Sequence, residues 1–181
     1  MDFSQLITIR QSVRTYGNQP VTEETLERLV EAVRLAPSAS NSQPWHLILV
    51  TDPPLKDQVA RATFSRLVSF NRFVPQAPVL GVLVMEKPKM ITQIGGHLKD
   101  RDFSLIDIGI AGAHFCLQAA DLGLGTCMLG WFDEAVIKEL LRIPASLRIG
   151  LVITLGYPEQ EDMLRPKRRK SMTEMCSRNG Y

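Results

Sequence analysis

The sequence has few cysteines and no long uninterrupted apolar run. Its three cysteines, Cys116, Cys127 and Cys176, lie far apart and form no CxxC pair. Such scattered thiols argue against a disulfide framework or a thiolate zinc site and suit a reducing compartment. No apolar run approaches the roughly 18 residues needed to cross a bilayer, and the first residues lack the basic start and apolar core of a secretory signal. We therefore expect a cytoplasmic protein with no membrane partner.

Several common catalytic and nucleotide-binding motifs are also missing. There is no GxGxxG after a strand, no GxxxxGK and no GxSxG, which argues against Rossmann, P-loop and serine-hydrolase sites. His46, His97 and His114 are dispersed and have no second ligand at a metal-binding offset, so no metal site is predicted. His114 is expected to be a hydrogen-bonded histidine within an apolar helix.

The composition is that of an ordinary globular protein with one unusual concentration of charge. The chain has 181 residues, 45% hydrophobic and 22% charged, which fits one domain over residues 1–181. Net charge is +2, but the segment 165–170 alone holds five of the 21 cationic residues. The remainder, with 16 cationic and 19 anionic residues, is mildly acidic. Proteins that bind nucleic acid are often basic throughout, so no nucleic-acid partner is predicted.

The hydrophobic periodicity predicts an α+β fold in which helices and strands are interleaved. Thr22 and Asp133 are expected N-caps, and Pro144 ends the helix that Asp133 begins. Residues 86–102 have little periodicity and are predicted to be a loop or mobile excursion. The polar tail from 159 to 181 is expected to pack on its own domain or on a partner chain. The other predicted helices cover residues 3–10, 22–35, 53–68 and 104–122, and the predicted strands cover 45–51, 79–85, 126–129 and 148–155.

The helix predicted over 104–122 is apolar on almost every side. Such a helix is typical of a buried central position. Gly109, Gly112 and Ala113 offer small surfaces for close backbone approach. In a chain of this size, so apolar a helix indicates burial against a second copy.

Three segments could bind an anion or a planar ring. Residues 10–14 place two arginines and a serine at the end of a helix, and these groups suit phosphate oxygens. The basic run 165–170 has three open interpretations: a solvated patch, a nucleic-acid or nuclear-import patch, or a clamp on the same phosphate as Arg10. The polar loop 37–44, with a proline at each end, could hydrogen-bond a planar heterocycle or be an ordinary turn.

Taken together and in order, these stretches resemble the nitroreductase family of flavin mononucleotide (FMN) enzymes. The resemblance covers nearly the whole chain. It implies a nitroreductase-like α+β fold, with a central mixed or antiparallel sheet flanked by helices and the buried helix at the interface of a homodimer. Each of two FMN molecules would contact both chains. The matching segments are 10–16 (RQSVRTY), 37–45 (PSASNSQPW), 107–111 (DIGIA), 120–132 (ADLGLGTCMLGWF), 155–158 (LGYP) and 165–171 (RPKRRKS).

The resemblance also implies roles for individual residues. Arg14 would reach the pyrimidine side of the flavin, and the backbone around Leu129 and Gly130 would lie near flavin N5. Some family members carry an acidic residue at the stretch that here reads Gly130-Trp131-Phe132, so Trp131 becomes a candidate wall on the substrate side. The phosphate would be held by Arg10, Ser12, Lys167 and Arg169. Gln11 would belong to the same cofactor-binding segment as Arg10 and Ser12. The partner chain would contribute Pro37, Ser38, Ala39 and Asn41.

The reaction implied by the resemblance is flavin-mediated electron transfer. NADH or NADPH would give a hydride to flavin N5, and a nitroaromatic, quinone or similar small molecule would then take two electrons. The flavin carries the chemistry, so no catalytic side chain is predicted. Two alternatives remain open: another reaction on the same flavin (dehalogenation, enone reduction or flavin reduction), or a non-catalytic protein whose basic tail binds polyanions.

Overall fold

One antiparallel sheet organises the protein. The computed structural model describes the backbone of residues 1–181 and every side chain except that of residue 97. The strand order is β1-β2-β4-β3, and every neighbouring pair is antiparallel. The predicted α+β fold is thus confirmed, with an antiparallel sheet. The strands are β1 (Trp45–Val50), β2 (Val79–Met85), β3 (Gly125–Leu129) and β4 (Arg148–Gly156).

Helices cover both faces of this sheet because its strands are apolar on both sides. On one face, α2 and α5 enclose a core that includes Leu29, Phe115 and Ile153. On the other face, the core includes Val59 of α3 and Ile137 of α6. Along the described backbone the helices are α1 (Phe3–Ile9), α2 (Glu23–Arg34), α3 (Pro53–Arg61), α4 (Met90–Lys99), α5 (Phe103–Asp121), α6 (Glu134–Leu141) and α7 (Met172–Met175).

Most predicted boundaries are confirmed, since they depend on local signals. The side chains of Thr22 and Asp133 cap α2 and α6 as expected. Strand β2 follows the predicted range and is buried for all but its last residue. Strand β1, which matches the strand predicted over 45–51, is half-buried and lies at the edge of the sheet.

The helix predicted from residue 53 to about residue 68 ends much earlier, at Arg61. The hydroxyl of Thr63 donates to the carbonyl of Ala60 (2.7 Å), and the amide of Asn71 donates to the carbonyl of Thr63 (3.0 Å). These side chains take carbonyls that a longer helix would need for its own amides. The chain therefore turns after α3.

The prediction of a loop over 86–102 was wrong, because α4 occupies most of this segment. Its apolar residues are exposed in the single chain: Met90 is 76% exposed and Leu98 75%. Gly95 and Gly96 lie inside the helix, where glycine is unfavourable. The helix is attached to the rest of the protein by Thr92, which is buried.

Helix α5 is central, but it is not buried all round. One face, including Asp107 and Phe115, is buried, whereas Leu105 and Ile106 are 56% and 50% exposed. By length and composition α5 could cross a membrane, whereas the sequence predicts no segment long and apolar enough to do so. Half of its most apolar window is buried inside the protein. Core helices of soluble proteins meet the same criterion.

Candidate functional site

The segment 10–14 lies along the free edge of strand β3. Ser12 forms a parallel bridge with Thr126, and the Val13 amide donates to the Thr126 carbonyl (2.9 Å). This close approach needs a glycine at position 125, because a Cβ there would lie 2.6 Å from a Val13 methyl carbon. Arg10 caps the end of α1 just before this edge.

Tyr16 anchors the same segment to the sheet. Its hydroxyl donates to the Val13 carbonyl (2.9 Å) and lies 2.6 Å from the hydroxyl of Thr154. Burial raises the pKa of Tyr16 far above its usual range. The phenol therefore stays neutral and holds residues 12–16 in place.

The basic tail returns to this edge. The Arg165 amide donates to the side-chain carbonyl of Gln11 (3.0 Å), and the Arg165 guanidinium donates to the Ser12 carbonyl. The Lys167 ammonium donates to the carbonyl of Arg10. Residues predicted to share a phosphate, although about 155 positions apart, thus lie side by side in the folded chain.

Arg10, Arg165, Lys167 and Arg169 form what we call the basic cluster. The pKa of Lys167 is lowered, first by burial and then by repulsion from Arg10, Arg169 and Arg165. Among the described side chains, the one salt bridge in this cluster joins Arg165 to Asp162 (2.8 Å). Positive charge therefore exceeds negative charge here, which favours a bound anion.

A cleft of about 290 Å³ adjoins the same segment. The Arg14 guanidinium lies over the ring of Phe73, 5.9 Å from its centroid. Phe70 and Trp131 meet edge to face, with centroids 6.4 Å apart. The cleft brings together four of the predicted site residues with four others, and its lining is Arg14, Phe70, Asn71, Cys127, Met128, Leu129, Gly130 and Trp131.

Asn71, which lines this cleft, is a site residue that sequence reasoning missed. Asn71 is buried, and its amide donates to the carbonyls of Thr63 (3.0 Å) and Trp131 (3.1 Å). It fixes the loop after α3 to the loop after β3. A single asparagine in a loop belongs to no motif, so only the folded chain shows its position.

We call residues 37–44 the proline-flanked loop, and its shape is set by its own polar groups. The Gln43 amide donates to the Ser38 hydroxyl (2.8 Å), and the Gln43 side chain donates to Asn41 Oδ1 (2.7 Å). Ser40, Asn41 and Gln43 all have positive φ, between 49° and 52°. The loop is an ordered turn containing the 3-10 segment Ala39–Asn41, and Pro37 is exposed.

Within one chain, the proline-flanked loop is far from the basic cluster. The loop lies near the start of α5, where the amide of Ala39 donates to Asp107. The basic cluster lies near the end of α5, where Arg10 and Ala120 line one small cavity. At 1.5 Å per residue, Asp107 and Ala120 are about 20 Å apart. The structure therefore groups segment 10–14, the basic tail and residues 129–131, but leaves four predicted residues apart: Pro37, Ser38, Ala39 and Asn41.

Among the described side chains, the cysteines and histidines form no disulfide and no metal-binding cluster. All three cysteines are free thiols, and burial raises the pKa of Cys116 to about 11. His114 Nδ1 lies 2.9 Å from the carbonyl of Ile110. His97 lies outside the described side chains. Among the residues described, no three His, Cys, Asp or Glu groups are placed to share a metal ion.

Comparison with known proteins identifies the family. Residues 7–157 match the Nitroreductase family. A protein of Archaeoglobus fulgidus, provisionally named NADH dehydrogenase/NAD(P)H nitroreductase, is 30% identical over 161 residues, which cover 87% of this chain and 86% of that protein. FMN reductase (NAD(P)H) of Bacillus subtilis is 27% identical, with 89% of this chain and 68% of that protein covered. A nitroreductase family protein of Clostridium novyi has a similar structure, with a TM-score of 0.79, 31% identity, and 88% and 87% of the two chains covered. The chain belongs to the nitroreductase family, as the ordered motifs predict.

Proposed function

We propose that this protein is an FMN-dependent oxidoreductase that takes a hydride from NADH or NADPH and passes two electrons to a small acceptor such as a nitroaromatic or quinone. The observation that carries the proposal is the basic cluster, which lies next to the cleft at Arg14 and Gly130. Relatives named NAD(P)H nitroreductase and FMN reductase support both the cofactor and the electron donor.

The residues present fit FMN at both of its ends. The basic cluster carries excess positive charge for a phosphate, and Ser12 is held beside it by the contact with Arg165. In the cleft, Arg14 adds a cation that would stabilise negative charge on the pyrimidine side. When bound, the flavin supplies hydride and electron transfer, chemistry that side chains cannot perform alone.

Each part of the chain then has a binding or shaping role. Arg10, Ser12, Lys167 and Arg169 hold the phosphate, and Arg14 orients the ring. The backbone at Leu129 and Gly130 borders the reactive side of the ring. Trp131, which is 58% exposed beside the cleft, forms a wall against which a flat acceptor can stack.

A second copy of the chain completes the site. The exposed face of α5 carries Leu105, Ile106 and Gly109, and a Cβ built on Gly109 would meet nothing within 4 Å. Such an apolar strip is suited to a two-fold contact in which two α5 helices run antiparallel. The start of one α5 then lies beside the end of the other. This arrangement brings the proline-flanked loop of each copy to the basic cluster of its partner.

The visible spectrum of the purified protein tests the proposal. FMN-loaded protein should be yellow and should bleach when NADH or NADPH is added without oxygen. Protein that stays colourless and takes up no added FMN would overturn the assignment. Equilibrium sedimentation should give twice the 20.3 kDa chain mass.

Flavin reduction is a second candidate reaction, because the B. subtilis relative is named FMN reductase. The two reactions differ in what leaves the site. With a nitroaromatic or quinone, FMN stays bound over many turnovers, whereas a flavin reductase releases reduced flavin. Steady-state rates with a panel of nitroaromatics, quinones and free FMN distinguish them.

A further inference from the structure

One residue of the proline-flanked loop, Ala39, has both its backbone amide and its backbone carbonyl bound by buried side chains. The Ala39 amide donates to Asp107 Oδ1 (3.1 Å), and the Thr92 hydroxyl donates to the Ala39 carbonyl (3.4 Å). Asp107 is 2% exposed and Thr92 is 4% exposed. Side chains of α4 and α5 are therefore both hydrogen-bonded to the backbone of one loop residue.

A carboxylate at this place is costly for the fold. Asp107 lies on the buried face of an otherwise apolar helix, and its second oxygen, Oδ2, has no hydrogen-bond partner among the described residues. Burying such a group destabilises a protein unless its bonds are made. An apolar residue at this position would pack α5 at lower cost in free energy. What Asp107 provides and an apolar residue would not is the hydrogen bond from the Ala39 amide.

The loop needs such support because its backbone is strained. Ser40, Asn41 and Gln43 adopt left-handed φ values, which cost free energy for residues other than glycine. Strained conformations persist where surrounding contacts fix them. A further contact, from the Lys89 amide to the Ser42 hydroxyl (2.6 Å), ties the chain just before α4 to the same loop.

We propose that Thr92 and Asp107 are positioning residues that clamp the backbone of Ala39 and so set the shape of the loop that one copy presents to the FMN of the other. This inference rests on the proposed function. The clamp acts through the loop and touches no reacting atom.

The test removes one clamp bond at a time in the full-length protein. Thr92→Val keeps the shape of the side chain and loses the hydroxyl, while Thr92→Ser restores it. One neutral hydrogen bond is equivalent to about a twofold to tenfold change in affinity, and one to a charged group to about tenfold to 100-fold. We expect FMN to bind about threefold to tenfold more weakly to Thr92→Val, and at least about tenfold more weakly to Asp107→Ala.

Ser104→Ala is the matched control. Ser104 is buried on the same face of α5, and its hydroxyl makes no hydrogen bond among the described side chains. FMN affinity is measured by fluorescence quenching, and the visible circular dichroism of bound FMN reports its surroundings directly. Thr92→Val should change that spectrum, while Thr92→Ser and Ser104→Ala should match the wild type.

The outcomes separate this inference from the function on which it rests. Wild-type protein that takes up no FMN overturns the proposed function. Wild type that binds FMN, together with Thr92→Val and Asp107→Ala variants that match Ser104→Ala in affinity and spectrum, overturns the clamp alone. A loss of affinity in Thr92→Val that Thr92→Ser does not restore also counts against the clamp.

Discussion

The basic cluster and the proline-flanked loop use their polar groups in opposite ways. In the cluster, like charges face one another, and repulsion from Arg10, Arg169 and Arg165 helps to lower the pKa of Lys167. In the loop, polar groups are used locally, as Gln43 binds both Ser38 and Asn41. The basic cluster therefore carries excess positive charge that can bind an anion, whereas the proline-flanked loop keeps a defined backbone conformation.

This difference separates two ways of binding one ligand. A cluster of cations attracts a phosphate over a distance, and the attraction weakens with salt. A preformed loop loses little conformational freedom on binding, and its contribution depends on geometry. We therefore expect variants of the two regions to differ in size of effect, salt dependence and pH dependence.

The largest effect should come from neutralising the cluster. Replacing Lys167 and Arg169 together with alanine removes two charged partners of the phosphate. Because hydrogen bonds to charged groups contribute about 1.5–3 kcal/mol each, FMN affinity should fall at least about 100-fold. Fluorescence titration at low and high salt measures the change.

Lys170→Ala is the control for that double variant, since it removes a charge from the same tail outside the cluster. It should change affinity by less than about twofold. If the double variant instead keeps its FMN while losing affinity for heparin or DNA, the basic tail is a polyanion-binding segment. The proposed flavin site would then lack the tail residues assigned to the FMN phosphate.

The next effect should come from keeping the two regions apart. In the single chain a side chain at position 109 meets open space, so Gly109→Leu should stabilise α5 by roughly 0.5–1 kcal/mol. In a dimer with closely packed α5 helices the same side chain clashes. We expect Gly109→Leu to shift the protein toward monomer and to weaken FMN binding at least about tenfold. Sedimentation and titration report both quantities.

Val30→Leu, a smaller enlargement on the exposed part of α2, places the same side chain away from α5 and should leave the oligomer intact. A Gly109→Leu protein that melts higher than the wild type and sediments with the same mass would show that α5 is not the dimer contact. Antiparallel contact of two α5 helices would then not bring the proline-flanked loop of one copy to the basic cluster of its partner.

The sequence predicts those parts of the fold that local signals determine. Strand β2 is a run of apolar residues after Pro78, and α2 and α6 begin at capping side chains, so their bounds were found. Helix α4 is not predicted because its described apolar side chains are more than half exposed in the single chain and its two glycines are unfavourable in a helix. Its position depends on Thr92, a tertiary contact that periodicity does not reveal.

The candidate site also combines residues that the sequence points to with residues that only tertiary contacts reveal. Residues 10–14 and 165–169 are paired only through the family resemblance, because the charge pattern alone leaves three interpretations of the basic run open. Asn71 could not be found, since its two bonds join loops that are 60 positions apart. The distance between the proline-flanked loop and the basic cluster also emerged only from the folded chain.

A smaller effect should distinguish the two regions by pH. Since the pKa of Lys167 is lowered, chiefly by burial, this side chain loses its proton at lower pH than an ordinary lysine. FMN affinity should therefore fall, on the order of threefold to tenfold, as pH rises from 7 toward 10. The free energy of unfolding without FMN should instead rise over the same pH range, because deprotonation removes first the cost of burying the charge and then the repulsion from the neighbouring arginines.

Lys167→Arg is the control for this pH effect, since a guanidinium keeps its charge over the whole range. Its affinity should be nearly flat with pH. An equally steep decline in the Lys167→Arg protein would assign the titration to another group. Variants of the proline-flanked loop should keep the wild-type pH profile.

The smallest effect should come from Asn41, where backbone and side chain can be separated. Asn41 has a φ of 49°, a value that glycine adopts freely and alanine adopts at a cost of roughly 1–2 kcal/mol. If the loop acts through its shape, Asn41→Gly should keep FMN affinity within about threefold, and Asn41→Ala should bind less well. Both variants lose the bond from the Gln43 side chain to Asn41 Oδ1, so the difference between them reports the backbone conformation alone. Equal losses in both variants would show that the Asn41 side chain, and not the left-handed backbone at this position, supports FMN binding.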